Sequence, residues 1–492
     1  MLTVVLIAGL VLAVLWSLRV KRPTNYPPGP PMFLIFGNLF ETFRSLKGDF
    51  EVMVKEHRKK YGDIMAYIMP GNFKIVHLLN YDLIKESCAR QEFSGRPSNF
   101  IVLYRSFQKK LGVILNDGPA WQEHRRFTLR HLRDLGFGTN SMETIILEEF
   151  EHLAKEMEQD MHSPMKVNQR FNLTVLNVLW RLVASKRLDR SEPEAKQRVK
   201  EVNDFVTITG PSNPLSMFPF LRFISPNSFG LKELKNNRDN SLAMFQELMK
   251  EHRQTLDRAA PRDFIDRFLI EMESPDAAAR SFTDENLSIV CMDLFLAGME
   301  TTSTSLTWAL LLMVMHPDVQ TRVQQEIDAV LGVGADRRLP SYTDRANMPY
   351  TEATLQEVSR RATVVPRAVG HSALQDAPLG GYTVAKGSLV LMHLDVVHMD
   401  PAYWGDPDTF RPERFINADG TFRRDEHVIP FGIGRRFCLG ESLARMEMFV
   451  LFTCLLQRFR FSAAPGQTLS LESRVAAVRQ PNEFFVNIQL RG

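Results

Sequence analysis

In residues 431–440 a single cysteine, Cys438, sits in a loop punctuated by Gly432, Gly434 and Gly440. It follows Arg435 and Arg436 and precedes an apolar helical run starting near Glu441. A thiolate is a soft, strongly donating ligand for iron, and a ligating thiol must shed its proton. Neighbouring arginines and a helix N-terminus both favour that anion, and glycines let backbone approach a large flat cofactor. Cysteine chemistry alone also allows a buried structural role. A second chemical cluster is Ala-Gly-Met-Glu-Thr-Thr-Ser at residues 297–303. Glu300 and Thr301 place an acid beside a hydroxyl amid apolar residues. A glycine inside a helix costs about 1 kcal/mol relative to alanine, so Gly298 needs a local reason. Room beside a cofactor face is one such reason. Ordinary packing through small residues, with Thr301 bonding back to a carbonyl one turn earlier, is another.

These groups need elements to hold them. Apolar periodicity predicts helices over 49–61, 141–161, 231–256, 283–315 and 317–331, and strands over 64–70, 74–79, 381–384, 389–392 and 483–489. Thr283 is an N-cap candidate with Asp284 and Glu285 in the first turn, and Pro317 enforces a stop. At 1.5 Å per residue such a helix runs roughly 48 Å, enough to cross a whole domain. Strands near both ends of the chain must share a sheet, which predicts one integrated, mainly-α domain with small β-sheets, an α+β fold. Trp121 and Arg125 are four apart and share a helix face with Leu129 and Leu132. Arg126, Arg130 and Arg133 form a stripe on another face, either solvated surface or a dock for an acidic electron donor.

The 492 residues carry a net charge of only +3, which gives no case for nucleic-acid binding. Cys88, Cys291, Cys438 and Cys454 show no C-x-x-C spacing, which argues against zinc or a disulfide framework and for a reducing compartment. Residues 1–18 carry no charged side chain, and Arg19, Lys21 and Arg22 follow before Pro23. That run spans about 27 Å and predicts an uncleaved membrane anchor with the body on the cytosolic side. Pro27-Pro28-Gly29-Pro30-Pro31 predicts a stiff strut behind the anchor. Residues 210–228, rich in Pro, Ser and Phe, predict an apolar loop that touches membrane, lines an entrance or simply packs.

Phe431-x-x-Gly434-x-Arg436-x-Cys438-x-Gly440 resembles the haem-binding loop of the cytochrome P450 family at every fixed position, and residues 297–302 resemble its oxygen-activation pattern. The resemblance spans almost the whole chain. It implies haem b with Cys438 as axial iron ligand, in a loop shaped by Phe431, Gly434 and Gly440. Arg436, Trp121, Arg125, His371 and Arg96 become contacts to the haem propionates. Thr301 becomes the donor toward dioxygen, and Glu300 the relay of protons from solvent. Glu357-x-x-Arg360 and the Arg414 of Pro412-Glu413-Arg414-Phe415 are similar to the family's buried ionic lock. The implied division is an anchor at 1–18, a basic, Pro-rich hinge at 19–31 and a haem-thiolate catalytic domain at 32–492.

The implied activity is monooxygenation of a lipophilic substrate, with electrons from NADPH through NADPH–cytochrome reductase, or cytochrome b5 as a further donor, at the endoplasmic reticulum membrane. By the same analogy the pocket draws on residues 102–115, 205–210, 289–297, 363–369 and 475–478. Arg105 and Arg367 among them would face an ester, acid or ketone, or solvent. Within the family the chain is similar to the animal microsomal branch, including arthropod enzymes of hormone metabolism that epoxidise methyl farnesoate. Steroids, fatty acids and xenobiotics are the other substrate candidates. A haem-thiolate isomerase or dehydratase typically lacks the acid–threonine pair, and a non-catalytic haem-binding protein has no use for it.

Overall fold

Helix Asn172–Ala184 explains how the rest of the molecule is arranged: every residue except Arg181 is buried. A helix apolar on all sides must be enclosed by others. It is enclosed in part by the 32-residue helix Asp284–Met315, itself buried along most of its length. Thr283 caps that long helix by accepting from Asn286 N, and Pro317 opens the next helix, Pro317–Leu331. Helices Asn140–Gln159 and Glu441–Arg458 pack around the same core. The computed structural model describes residues 21–491 apart from 34–35, 47–49, 70–71, 137–139, 209–212, 214, 216–219 and 226–227.

The principal sheet runs Ile64–Met69, Phe73–Leu78, Leu389–Met392 and His371–Ser372 in that spatial order. Phe73–Leu78 pairs in parallel with Leu389–Met392, with Val76 opposite Val390, so distant parts of the chain close one sheet. A three-stranded sheet joins Met165–Lys166, Phe485–Leu490 and Phe459–Ala463. The fold is mainly α with small β-sheets, as the spacing of apolar residues predicted.

The predicted anchor lies outside the described residues, and no described helix is long and apolar enough to cross a membrane. The proline stretch is not a free strut. Pro28 O accepts from Ala66 N at 2.7 Å, Asn38 Nδ2 donates to Pro30 O and Pro31 O, and a Cβ on Gly29 would overlap the Ala66 carbonyl. Prolines donate no backbone hydrogen bond but still accept, so the segment straps itself to the edge of the sheet. Within 210–228 the expected loop holds a short helix, Leu221–Ile224, with Phe220, Phe223 and Ile224 exposed.

Candidate active site

The Cys438 loop enters helix Glu441–Arg458 through Gly440, whose backbone N–H bonds the sulfur. The Cys438 amide donates to Phe431 O at 2.8 Å, which closes the loop on itself. Gly434 has φ +73°, and a Cβ there would meet Cys88 O at 2.5 Å. This glycine serves a left-handed turn against helix Tyr81–Ala89. The thiol is not acidic by itself. Burial raises its pKa, and the Gly440 N–H and the nearby Arg125 only partly oppose that rise. Arg435 is exposed and Arg436 turns away to Ser94 and Trp121, so neither serves the thiol as the sequence suggested. A thiolate here requires a bound metal to hold it.

Beside this loop the fold gathers three guanidiniums that feel one another's charge. Arg125, on helix Gly118–Asp134, donates to Phe437 O at 2.6 Å. The Arg436 guanidinium stacks 3.4 Å over the Trp121 ring and donates from Nε to Ser94 O. Its two terminal nitrogens are buried with no hydrogen-bond partner. Burial, with the charges of Arg96 and Arg125, pulls its pKa down to about 9. Arg96 is buried and spends its nitrogens on the carbonyls of Ile114, Val369 and Gly370; burial and Arg125 lower it to about 10. Trp121 gives its N–H to Val113 O rather than into the cluster. His371 bonds Phe93 O through Nδ1 at 2.8 Å, and burial with Arg96 and Arg436 pushes its pKa well below the usual value, so it is neutral.

Glu300 and Thr301 stand midway along the long helix. Ala297 is exposed and Thr301 and Ser305 are half-buried, a stripe at i, i+4, i+8 opening inside an otherwise buried helix. The Thr301 hydroxyl bonds back to Ala297 O at 2.8 Å. Glu300 is buried, and burial raises its pKa. Gly298 does not make room for a cofactor: a Cβ there would meet Leu179 Cδ2 at 2.5 Å, so the glycine lets the long helix seat on helix Asn172–Ala184.

The third predicted group, apart from these, is brought together, with Asp406 balancing the second arginine by accepting from Arg414 Nη1 at 2.5 Å. Arg360 Nε and Nη2 clasp Glu357 at 2.7 and 2.8 Å, and Arg414 Nε adds a bond at 3.3 Å. The set reaches the cysteine loop through His398. Its carbonyl accepts from Arg360, and its Nε2 accepts from Ile429 N at 2.8 Å. Burial and Arg360 hold His398 at about 3, so it is a neutral strut. No local sequence pattern marks His398, Gln480 or Thr304, the last two of which hold Glu300. Of the two arginines considered for substrate, Arg105 is buried in an ion pair with Asp293, and Arg367 stacks 4.8 Å from the Phe50 ring. Asp293 also binds Val113 N and Ile114 N, which fixes that loop. Side chains of residues 205–210 fall outside the described set.

A family model described as Cytochrome P450 matches residues 27–488. This chain belongs to that family. It is 38% identical to "Farnesoate epoxidase" of Bombyx mori, with 96% of this chain and 97% of the relative covered. It is 37% identical to "Cytochrome P450 2L1" of Panulirus argus, 92% of each covered. To "Cytochrome P450 2J2" of Homo sapiens it is 35% identical over 94% of this chain and 91% of the relative. Cytochrome P450 enzymes are monooxygenases that bind haem b through a cysteine thiolate, and work with O2, a redox partner and lipophilic substrates. The residues fit that cofactor. Unpartnered Arg436 nitrogens among three arginines call for a dianion, the free sulfur is a soft donor, and the Ala297–Thr301–Ser305 stripe leaves space beside the helix.

Proposed function

We propose that this cytochrome P450 oxidises a lipophilic terpenoid ester of the farnesoate class by epoxidation, with Cys438 holding the haem iron. The unsatisfied guanidinium of Arg436, buried over Trp121 beside Arg96 and Arg125, carries the cofactor reading. The "Farnesoate epoxidase" name of the Bombyx mori relative supports the substrate reading.

Cys438 would hold the haem iron and supply the electron-donating thiolate that favours O–O cleavage. Overall, one oxygen atom enters the substrate and the other leaves as water, consuming two electrons and two protons. This chain's part is to deliver those protons and shape the pocket. Glu300, whose pKa burial raises, is the acid, and Thr301 hands the hydrogen bond onward from the open stripe. Arg436, Arg125 and neutral His371 would hold the cofactor's carboxylates, with Trp121 stacked on Arg436 and the buried charge of Arg96 beside them. Glu357, Arg360 and Arg414 hold the core behind the loop.

Electrons come from NADPH through NADPH–cytochrome reductase, with cytochrome b5 as a second donor. Arg126, Arg130 and Arg133 are all exposed on the helix whose Arg125 touches the loop, which supports docking of an acidic partner there. The uncharged run 1–18 and the exposed Phe33, Phe36, Phe40, Phe43, Phe220 and Phe223 support attachment to the endoplasmic reticulum membrane.

Reconstitution with reductase and NADPH, against methyl farnesoate, a steroid and a fatty acid, tests the assignment. Epoxide from methyl farnesoate is the expected product. A preparation with a normal reduced, carbon-monoxide-bound thiolate spectrum that turns over only the steroid or the fatty acid overturns the substrate. In Cys438→Ala that thiolate band disappears, and its persistence overturns the ligand.

A further inference from the structure

The two oxygens of Glu300 live in different surroundings. Oε1 accepts from Gln480 Nε2 and, at 3.4 Å, from Thr304 Oγ1. Oε2 is buried and has no hydrogen-bond partner. Gln480 does not belong to the long helix. It lies on strand Arg479–Pro481, paired antiparallel with Ser473–Val475. This hairpin is pinned against the acid by Trp308 Nε1 donating to Arg479 O at 2.9 Å, and by Arg479 N donating to Val364 O at 2.7 Å. The amide's placement therefore follows from two independent backbone ties.

A carboxylic acid carries a single proton, and an oxygen already accepting from two donors is the wrong place for it. We propose that Gln480 is a positioning residue for the reaction: it holds Glu300 Oε1 and so keeps the acid's proton on Oε2, the oxygen free to turn toward Thr301. The inference rests on the reading of Glu300 as proton relay. For each of the two protons of a turnover, the proton leaves Oε2, the carboxylate stays held at Oε1 by Gln480 and Thr304, and one proton from solvent restores the acid. Nothing is oxidised or reduced at Glu300. Without the amide the carboxyl rotates, and the acidic proton is as often on the wrong oxygen as on the right one.

The test uses the full-length haem-loaded protein with reductase, NADPH and a substrate it turns over, comparing Gln480→Leu, Glu300→Gln and the double variant. Two readouts are taken. One is the infrared carbonyl band of the protonated acid, assigned by its loss in Glu300→Gln. The other is product and hydrogen peroxide formed per NADPH. Gln480→Leu is expected to shift the band and lower product per NADPH roughly 10-fold, with peroxide making up the difference. Its carbon-monoxide spectrum stays normal, and the double variant is no worse than Glu300→Gln. An unmoved band with full coupling in Gln480→Leu overturns the proposal. If Glu300→Gln uncouples and Gln480→Leu does not, only the positioning role falls. If Glu300→Gln itself stays coupled, the relay reading falls and takes this proposal with it. Gln480→Met, unbranched like glutamine but without a donor, repeats the comparison should the leucine variant fail to fold.

Discussion

The molecule buries charge in two places and treats it in opposite ways. In the Glu357–Arg360–Arg414 set the carboxylate has both oxygens taken by Arg360, with Arg411 N and Arg414 adding to Oε1. Arg360 Nη1 reaches His398 O, and Nη2 also donates to Pro407 O. At the cysteine loop, three arginines crowd together. The carboxylate that Arg436 feels, Asp117, is already engaged by Lys110 Nζ at 2.5 Å and by Arg96 N. One set is complete within the chain. The other is complete only with an anion the chain does not encode. Compensation, rather than burial or charge alone, separates a structural cluster from a binding site.

The sharpest way to break this contrast is to open the compensated set. Glu357→Gln leaves Arg360 buried against a neutral amide, and about 3–5 kcal/mol of stability should go. Against a total near 5–15 kcal/mol, that is a large share of the stability. Glu357→Leu with Arg360→Met removes both charges and should recover most of the loss. A loss of unfolding free energy of less than about 1 kcal/mol in the single variant, read from denaturant unfolding, would mean the set is not the closed unit described.

Arg436→Met probes the other side, where the sign should reverse with the cofactor. In the haem-free protein the change relieves repulsion with Arg96 and Arg125, so the melting temperature holds or rises. In the loaded protein it removes a charged hydrogen-bond donor, a loss of about 1.5–3 kcal/mol, or roughly 10- to 100-fold in haem retention. Transfer of haem to an acceptor protein reads it. Equal loss of stability in both forms would place Arg436 with the structural charges.

Glu300 supplies the pH test. Burial raises its folded pKa above the unfolded 4.5. The stability it contributes is therefore full below 4.5 and is lost as pH rises through the folded value. At neutral pH the wild-type protein bears the cost of a buried acid and Glu300→Gln does not. The variant should melt higher near neutrality, with the gap closing as the pH falls toward 4.5. A constant gap would mean that Glu300 is already compensated like Glu357.

Much of this was legible in sequence because it is local. The loop at 431–440 is contiguous, and helix Pro317–Leu331 and strand Leu389–Met392 end where their prolines, polar residues and apolar runs predict. Helix Asn172–Ala184 was not legible, because a helix buried on every face has no period to read. Gln480 meets Glu300 across 180 residues, and His398 meets Ile429 through a loop; neither position has a pattern around it. The thiol's acidity was misjudged because the sequence shows arginines beside Cys438 but not their direction. Arg436 points to Trp121, and burial of the sulfur wins.

Gly298 gives the smallest and most ambiguous effect. Alanine there gains about 1 kcal/mol of helix propensity. Its Cβ would also stand 2.5 Å from Leu179 Cδ2, and Leu179 is packed in the core. Overpacking at such a contact costs about 1–3 kcal/mol, so Gly298→Ala should destabilise by about 1 kcal/mol. Adding Leu179→Ala to Gly298→Ala should then cost less than Leu179→Ala costs alone in the parent, since the new methyl fills part of the cavity. That coupling, read from a double-mutant cycle by thermal melting, locates the reason for the glycine. If the two changes add without coupling, the glycine answers to the open face of the helix at Ala297 and Thr301 after all, and the long helix is shaped by its cofactor rather than by its neighbour.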